Sequence, residues 1–555
     1  MPARSSPAYL ARHARWLAEA AIRRHAFGRA LRSPRRAQEA ALARILTRNA
    51  ECDYGRRHGF SRVRSLRDYQ EQVPVVQYDD IAPQVAEVCD GRSGVLTAEP
   101  VIALEKTTGS TAASKYVPYT ASLLRELQAA LLPWIADLYL RNPALLLGGA
   151  YWSVSPMADS PEHTAGGLPI GFGEDVQYFG SIGPALGRVL LTPPGLAQVR
   201  EVEACRYLTL RFLLESADLR LVSVWHPSFF VLLVDTMQAQ AERLIADIRD
   251  GILSPLLAVP AEVRGGWKLR PRPARAERLR RLLASDGRLS PAAVWPRLRV
   301  ISCWADAAAA PYAAELKRLC PGSRLQPKGL LATEGVVSVP WGRGPGAVLA
   351  PTSHVLEFVD GAAPGERPRL VDELEEGRIY SVLMTTGGGL YRYALGDRVR
   401  VVGHTAATPR VEFVGRERHV SDLFGEKLHE VLVREVVEAA LREAKVTPSF
   451  TLVAPEAGSP PAYALFLECP GLPAESLPKL VRRVEQVLLK GHHYAYCRRL
   501  GQLGALRGFR VRTGGTRAYL ERLTASGQRA GTVKPALLSP ETGWSERLEG
   551  AFVEP

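Results

Sequence analysis

A run of small hydroxylated residues is the first segment of the chain whose residue types could do chemistry. Its members combine hydroxyl groups with one glycine: Thr107, Thr108, Gly109, Ser110 and Thr111. Such residues let backbone N–H groups approach phosphate oxygens, and Lys115, four positions further on, can add a positive charge. The Walker spacing, GxxxxGK followed by Ser or Thr, is absent. The run is therefore a candidate phosphate-binding loop, with a plain surface turn as the alternative.

A second candidate is the pair Thr333-Glu334, which follows an apolar run that contains Leu330 and Leu331. A hydroxyl beside a carboxylate can contact a phosphate and a Mg²⁺ ion, which prefers oxygen ligands. Taken alone the pair is a weak signal, because a strand end with one exposed glutamate has the same residues.

Each of the three remaining candidates lies in or beside a segment that contains glycine. Asp397 follows the glycine run at 387–389, and a lone acid at a strand end can accept hydrogen bonds from both hydroxyls of a ribose. Arg416 lies directly after another glycine. Lys534 lies in a glycine-rich segment near the C-terminus, where an isolated lysine is usually solvated.

These candidates need elements that position them. Strand-like runs alternate with helical patterns from about residue 97 to residue 415, which predicts an α/β body. The predicted strands include Leu219–Trp225, Phe229–Val234, Leu298–Cys303, Ile379–Thr385 and Val399–Gly403. The predicted helices include Thr236–Arg249 and Pro311–Leu319. After Arg416 the pattern restarts with a long amphipathic helix over His429–Ala444, which predicts a separate α+β unit.

The positive charge is concentrated at the N-terminus. The net charge is +14, yet residues 1–50 alone hold eleven arginines against two acids. Apolar residues at helical spacing predict a helix from Tyr9, with a second helix starting at Pro34 and ending near Asn49. We interpret the first as a helix packed on the body with a solvated arginine face. A membrane surface or nucleic acid is the alternative partner.

The composition excludes several classes of protein. With 46% hydrophobic and 23% charged residues, the chain is not mainly disordered. Its longest apolar runs fall far short of the roughly 20 residues that a membrane span needs. We expect no secretory signal, because the first residues do not combine a basic start, an apolar stretch and a small-residue cleavage site. Seven scattered cysteines without a CxxC pair favour free thiols in a reducing cytoplasm and argue against a zinc site.

The order and spacing of all these motifs resemble the adenylate-forming enzyme superfamily. The finer resemblance, over nearly the whole chain, is to the auxin-responsive acyl-acid amido synthetase family in its divergent bacterial form. It implies an α/β fold with a large N-terminal adenylate-forming domain, in which helices flank mixed β-sheets, and a small mobile α+β C-terminal domain. We expect the first domain to span residues 1–415 and the second to span residues 416–555.

The resemblance also implies roles for the residues of the large domain. Thr107–Thr111 would bind phosphate, with Lys115 beside them. Thr333 would face the α-phosphate of ATP, and Glu334 would bind Mg²⁺. Asp397 is similar to the family's ribose-binding aspartate. The aromatic residue that often precedes the Thr-Glu pair is missing here, so the contact to adenine stays unassigned.

Two further roles lie at the domain boundary and beyond it. Arg416 resembles the arginine that also faces the ribose. Lys534 resembles the lysine that reaches the α-phosphate during adenylation. The arginine that usually follows this lysine is absent, which weakens the match around it.

The activity implied is ligation of a carboxylic acid to an amino acid, with ATP and Mg²⁺ as cofactors, in a cytoplasmic monomer or weak dimer. No nucleic acid or integral membrane contact is expected. A thioester-forming relative and a non-catalytic binding protein of the same fold remain alternatives. The acid pocket is expected between Ala150 and Trp304, where aromatic residues are available: Trp152, Phe172, Tyr178, Phe179, Trp225 and Trp304. Each of these is as compatible with plain core as with a pocket.

Overall fold

The chain folds into two compact units. A computed structural model describes residues 6–107, 115–153, 163–171, 175–199, 201–254, 259, 261–306, 309–360, 366–416, 420–421, 423, 426, 428–473, 475–499, 502–525 and 536–553. The large unit consists of Met1–Ala305, Ala313–Leu395 and Val399–Phe413. The small unit consists of Asp306–Tyr312, Gly396–Arg398 and Val414–Pro555.

The helices, in chain order, are α1 (Ser6–Ala30), α2 (Pro34–Asn49), α3 (Asp53–Arg57), α4 (Leu66–Gln72), α5 (Tyr78–Cys89), α6 (Ala121–Arg141), α7 (Gly183–Gly187), α8 (Val202–Leu214), α9 (Pro227–Ala239), α10 (Ala241–Asp250), α11 (Ala261–Gly265), α12 (Pro273–Asp286), α13 (Pro291–Val294), α14 (Ala310–Leu319), α15 (Glu430–Glu443), α16 (Ser476–Leu488), α17 (His492–Arg499) and α18 (Gly515–Ala525). None of those in the described part of the chain combines the length and the apolar content that crossing a bilayer requires.

The strands, in chain order, are β1 (Val101–Thr107), β2 (Lys115–Thr120), β3 (Gly149–Trp152), β4 (Leu219–Ser223), β5 (Val300–Cys303), β6 (Arg324–Pro327), β7 (Leu331–Ala332), β8 (Gly335–Val336), β9 (Ser338–Val339), β10 (Ala347–Leu349), β11 (Val355–Asp360), β12 (Arg369–Leu370), β13 (Ile379–Thr385), β14 (Tyr393–Thr405), β15 (Thr408–Arg416), β16 (Val420–Ser421), β17 (Leu428–His429), β18 (Phe450–Glu456), β19 (Ala462–Glu468), β20 (Arg507–Val511) and β21 (Gly550–Val553).

Two sheets organise the large unit. One is a parallel sheet in the order β3-β4-β5-β6, whose strands are joined by helical crossovers. The other is seven-stranded, in the order β12-β11-β13-β14-β15-β10-β9. The two central strands, β4 and β5, are buried on both faces, which is why they read as short apolar runs in the sequence.

The arginine-rich helix α1 packs on α6. Its apolar positions Trp16, Ala20 and Phe27 are buried, so the helical spacing of these residues marks a core-facing side. Arg24 donates to the buried carboxylate of Asp137 on α6 at 2.8 Å. The interpretation of this segment as a packed helix therefore agrees with the structure.

One predicted strand is wrong. Phe229–Val234 lies inside helix α9, and the predicted helix over Thr236–Arg249 is two helices that break at Gln240. An apolar run of six residues is compatible with either a buried strand or a buried helix. A signal for the start of a helix lies just before this apolar run. Pro227 is the first helical residue, and His226 caps the helix by accepting from a backbone N–H.

The small unit is built on the sheet β18-β19-β20-β21. β18 and β19 form an antiparallel hairpin, and β20 joins β19 in parallel. Helix α15 covers this unit's core with the apolar positions Val433, Val436 and Val437. The long amphipathic helix predicted over His429–Ala444 is thus confirmed within a residue at each end.

A buried ion pair ties several elements of the large unit together. The guanidinium of Arg392, which is 4% exposed, donates to the carboxylate of Glu357 on β11 at 2.9 to 3.2 Å. It also donates to the backbone carbonyls of Gln70 and Val73, both at 2.7 Å. The turn that follows β13 is therefore anchored to α4 and to β11.

Glu357→Gln should lower the free energy of unfolding by about 3–5 kcal/mol, because it leaves a buried guanidinium without its counter-charge. Glu366→Gln is the matched control, since Glu366 pairs with Arg369 at an exposed position. Urea unfolding followed by circular dichroism measures both. Equal midpoints for the two variants would contradict the role given to the buried pair.

Candidate active site

The candidate phosphate loop connects two paired strands. β1 and β2 are antiparallel, and Thr107 at the end of β1 is opposite Lys115 at the start of β2. The ammonium of Lys115 lies 5.1 Å from the ring centre of Tyr78, whose hydroxyl accepts from the N–H of Tyr116. Of the loop itself, Thr108, Gly109, Ser110 and Thr111 lie outside the described residues, as does the side chain of Thr107.

Thr333 and Glu334 form the tight turn of a hairpin. β7 and β8 pair directly on either side of them, with Ala332 opposite Gly335. The two glycines that flank this motif are required by packing. A Cβ atom on Gly329 would lie 2.1 Å from the carbonyl oxygen of Ser338, and one on Gly335 would lie 2.6 Å from atoms of His354 and Met384.

Tyr119 joins the first two motifs. It lies on β2, and its hydroxyl donates to the carbonyl oxygen of Thr333 at 2.5 Å. Burial, together with the nearby carboxylates of Glu105 and Glu334, raises the pKa of Tyr119 well above its ordinary value. Tyr178 donates to Glu105 at 2.9 Å, which holds that carboxylate in place. The strand pair of the phosphate loop and the Thr-Glu turn are therefore in direct contact.

Sequence reasoning missed Tyr119 and Glu105. Tyr119 could have been noticed from its place in β2, the strand that follows the loop, where residues 117–120 are all buried. Glu105 lies on the opposite strand, β1, where it is a buried acid two residues before the loop. A buried acid so close to a candidate phosphate-binding run is unusual enough to be noticed.

A second carboxylate, that of Glu126, supports the Thr-Glu turn through neighbouring residues. Glu126 on α6 is buried, and it accepts from the N–H of Gly387 at 2.9 Å. His354 Nδ1 lies 2.9 Å from the same carboxylate, so the imidazole donates from that nitrogen. The Nε2 of His354 faces Gly335, next to Glu334. The glycine run at 387–389 is therefore part of the support of the turn.

The oxygen atoms around the turn suit a hard cation. Glu334, the nearby Glu105 and the hydroxyl of Thr333 are all oxygen donors of the kind that Mg²⁺ prefers. Among the described residues, no three His, Cys, Asp or Glu side chains are grouped so as to hold a metal by themselves. Mg²⁺ in nucleotide sites usually binds one or two carboxylates and completes its shell with phosphates and water, and the donor set here fits that arrangement.

The other predicted site residues belong to the small unit. Asp397 lies on β14, is fully buried, and is grouped by packing with that unit. Arg416 is the last residue of β15, and its side chain lies outside the described part of the chain. Lys534 also lies outside it. Within the large unit, the structure thus brings together the ends of the phosphate loop, Thr333 and Glu334.

Three family models match successive parts of the sequence. They are described as the GH3 family N-terminal domain over residues 23–325, the GH3 family central domain over residues 347–416, and the GH3 family C-terminal domain over residues 431–542. The chain belongs to the GH3 family. The predicted membership of the acyl-acid amido synthetase family is confirmed.

Named relatives extend the GH3 match over most of the chain. A "Probable indole-3-acetic acid-amido synthetase GH3.12" from Oryza sativa subsp. japonica is 26% identical, with 93% of each chain covered. "Jasmonoyl--L-amino acid synthetase JAR6" from Nicotiana attenuata is 25% identical over 78% of this chain and 79% of its own.

A solved structure of a GH3 protein shows the same fold. It is described as the AtGH3.15 acyl acid amido synthetase in complex with 2,4-DB, and it matches with a TM-score of 0.82. The match covers 96% of this chain and 97% of that one at 19% identity. The predicted α/β architecture with N-terminal and C-terminal domains is thereby confirmed.

In this GH3 chain, a series of aromatic contacts connects the Thr-Glu turn with the parallel sheet. The ring of Tyr119 lies 6.1 Å from that of Tyr178, and the neighbouring Phe179 lies 4.8 Å from Trp152 on β3. Trp225 and Trp304, at the ends of β4 and β5, are 5.7 Å apart. Phe172 lies outside the described residues. Five of the six aromatic residues expected near the acid pocket are therefore grouped around this sheet and the Asp175–Ile182 segment.

Lys328 was missed in the sequence and is the least ordinary residue of this region. It is 5% exposed, and its ammonium donates to the hydroxyl of Ser223 at 2.8 Å. The rings of Trp134 and Trp225 lie 4.7 Å and 5.3 Å from it. Burial lowers the pKa of Lys328 to about 7, although the neighbouring Cys303 thiol opposes that change.

The lowered pKa of Lys328 can be tested through the pH dependence of the free energy of unfolding. Below about pH 7, Lys328 is charged in both the folded and the unfolded chain, so the folded protein bears the full cost of burying an ammonium. Between about pH 7 and pH 10, Lys328 is protonated only in the unfolded chain. The free-energy cost of burying its charge therefore declines by about 1.4 kcal/mol per pH unit. Lys328→Met should therefore stabilise the protein more at pH 6 than at pH 9, by about 3 kcal/mol.

Urea unfolding at the two pH values measures the difference. Lys268→Met is the control, because Lys268 is exposed and its substitution should have the same effect at both values. If Lys328→Met changes the free energy of unfolding by the same amount at pH 6 and at pH 9, the lowered pKa of Lys328 is contradicted.

Proposed function

We propose that this chain is an ATP-dependent ligase that joins a carboxylic acid to the amine of an amino acid through an acyl-adenylate. The observation that carries the proposal is the hydrogen bond from Tyr119 to Thr333, which holds the strand of the phosphate loop against the Thr-Glu turn. The printed names of the relatives, which are amido synthetases, support the same activity.

In the first half-reaction, a carboxylate oxygen of the acid bonds to the α-phosphorus of ATP. The bond from that phosphorus to the bridging oxygen breaks, and pyrophosphate leaves. The protein contributes positioning and charge neutralisation: Thr107–Thr111 and Lys115 bind phosphate oxygens, and Lys534 offsets charge that grows on the α-phosphate. Mg²⁺, when bound by Glu334 and the phosphates, supplies Lewis-acid neutralisation.

In the second half-reaction, the amine nitrogen bonds to the acyl carbon, the amine loses a proton, and AMP leaves. Thr333 donates its hydroxyl toward the phosphate, while Asp397 and Arg416 hold the ribose. We assign the sites for ATP and acid to a domain of residues 1–415, and Lys534 to a smaller domain of residues 416–555.

The proposed setting is the cytoplasm of a bacterium. All seven cysteines are free, which suits a reducing compartment. The partners are then small molecules, a carboxylic acid and an amino acid, with no role for nucleic acid or an integral membrane contact. We expect a monomer or a weak dimer.

The test is a screen for pyrophosphate release over a panel of carboxylic acids with ATP and Mg²⁺, followed by mass spectrometry of products formed with mixed amino acids. Lys534→Ala should reduce release by about 100-fold or more while ATP still binds, because one charge stabiliser is lost. Lys479→Ala, at an exposed position on α16, should behave as the unmodified protein.

Two outcomes would argue against the proposal. Acyl transfer to a thiol acceptor but not to an amine would identify a thioester-forming enzyme. The absence of pyrophosphate release with every acid of the panel would identify a non-catalytic protein of this fold.

Tyr119→Phe should lower kcat/KM for pyrophosphate release by about 10-fold, the equivalent of one hydrogen bond that positions the turn. Tyr116→Phe is the control, because Tyr116 lies on the same strand and its backbone N–H makes the contact to Tyr78. Steady-state kinetics at saturating acid measures both variants. A Tyr119→Phe enzyme with unchanged kcat/KM would show that the turn does not need this contact.

A further inference from the structure

Four polar or amphipathic residues form one row across the parallel sheet. Neighbouring strands pair Trp152 with Ser223, Ser223 with Ser302, and Ser302 with Gln326. Paired residues of a parallel sheet project from the same face and lie about 5 Å apart. We call these residues the polar row.

The polar row faces helix α6. The indole N–H of Trp134 on α6 donates to the side-chain oxygen of Gln326 at 3.3 Å. The ammonium of Lys328 lies between the row and the same helix, since it bonds to Ser223 and lies over the ring of Trp134. This face is otherwise lined by apolar side chains such as Leu221 and Val300.

Two donors of the polar row have no hydrogen-bond partner within the described part of the chain. The indole Nε1 of Trp152 and the hydroxyl of Ser302 are buried, and neither has a hydrogen-bond partner among the described residues. They flank Ser223 on both sides. Buried polar atoms in folded proteins are almost always satisfied, so two neighbouring exceptions point to a ligand that supplies the acceptors.

Lys328 adds a charge that also lacks a counter-ion. Its contacts are a hydroxyl and two aromatic rings, and no ion pair joins it to a carboxylate within the described part of the chain. A buried ammonium is costly unless an anion accompanies it. The lowered pKa of Lys328 reflects the same burial.

The position of the row in the sheet suits the binding of a substrate. The row lies at the carboxyl ends of parallel strands, where open α/β sheets bind their ligands. Contacts between Trp152 and Phe179, and between Tyr178 and Tyr119, connect the row to the Thr-Glu turn. An acid activated at the turn would therefore point its far end at the polar row.

We propose that the polar row and Lys328 bind a second carboxylate of the acid substrate, so that the enzyme acts on dicarboxylic acids. The ammonium of Lys328, the hydroxyl of Ser302 and the indole N–H of Trp152 provide three donors for the two oxygens of this group. The inference rests on the proposed function, since it takes the Thr-Glu turn as the place where the first carboxylate of the acid is adenylated.

The experiment compares acids in matched pairs of equal length, one with a second carboxylate and one with a methyl group in its place. Suitable pairs are benzene-1,4-dicarboxylate with 4-methylbenzoate, and octanedioate with octanoate. The readout is the ratio of kcat/KM for pyrophosphate release within a pair. In the unmodified enzyme this ratio should favour the diacid of at least one pair.

Lys328→Met should lower the ratio by about 100-fold, because it removes the charge and keeps the length of the side chain. Ser302→Ala, a small change that leaves Lys328 in place, should lower it by about 10-fold. Lys268→Met, at an exposed lysine, is the control. A preference for the methyl-ended acid in every pair, or an unchanged ratio in Lys328→Met, would overturn the proposal.

Calorimetric titration of each diacid without ATP separates this inference from the proposed function. Binding that depends on Lys328, in a protein that releases no pyrophosphate, would support the site and refute the ligase activity. Pyrophosphate release from methyl-ended acids alone, with no binding of diacids, would support the ligase activity and refute the site. Absence of both diacid binding and diacid turnover also overturns the inference.

Discussion

The large unit depends on the buried pair between Arg392 and Glu357. Arg392 has a φ of 46°, in the left-handed region, which costs a residue with a side chain about 1–3 kcal/mol. The surrounding structure holds it there, because its guanidinium is satisfied only when Glu357, Gln70 and Val73 supply their oxygens together. The strands and helices that carry these oxygens are therefore fixed relative to the turn at 386–392. A buried charge in this way determines a backbone conformation that propensity alone would disfavour.

The same turn leads to the Thr-Glu turn of the candidate site. Its glycine run presents an N–H to Glu126, the carboxylate of Glu126 orients His354, and His354 packs on Gly335 at the end of the Thr-Glu turn. From the other side, Tyr119 fixes the carbonyl of Thr333. An enzyme whose contribution to phosphate chemistry is positioning needs such rigidity, since small displacements of the groups around a phosphate lose much of their effect. The glycine-rich motif is thus part of the support of the site as much as a marker in the sequence.

The sequence was sufficient for the family, the fold class and the main helices, because these rest on the order of motifs and on periodicity, both of which are local. It failed where the signal was local but ambiguous, as in the apolar run 229–234 of α9. It also missed Tyr119 and Lys328, whose importance comes from residues far away in the chain. Tyr119 meets Thr333 across 214 positions, and Lys328 meets Ser223 across 105. Contacts of this kind follow from strand register and helix packing, which no short pattern encodes.

The polar row illustrates what register adds. Strands buried on both faces of a parallel sheet are usually apolar throughout, and Ser223 and Ser302 each look like a tolerated exception when read separately. Only the pairing of β4 with β5 places the two hydroxyls side by side, with an indole and an ammonium next to them. Two of these four groups, the indole N–H of Trp152 and the hydroxyl of Ser302, have no partner among the described residues, and each buried donor that lacks an acceptor costs about 1–3 kcal/mol. The row also lies apart from the Thr-Glu turn, with the aromatic contacts in between. In the proposed assignments, selection of the acid and chemistry on ATP therefore use different side chains, so the first can change while the second is kept.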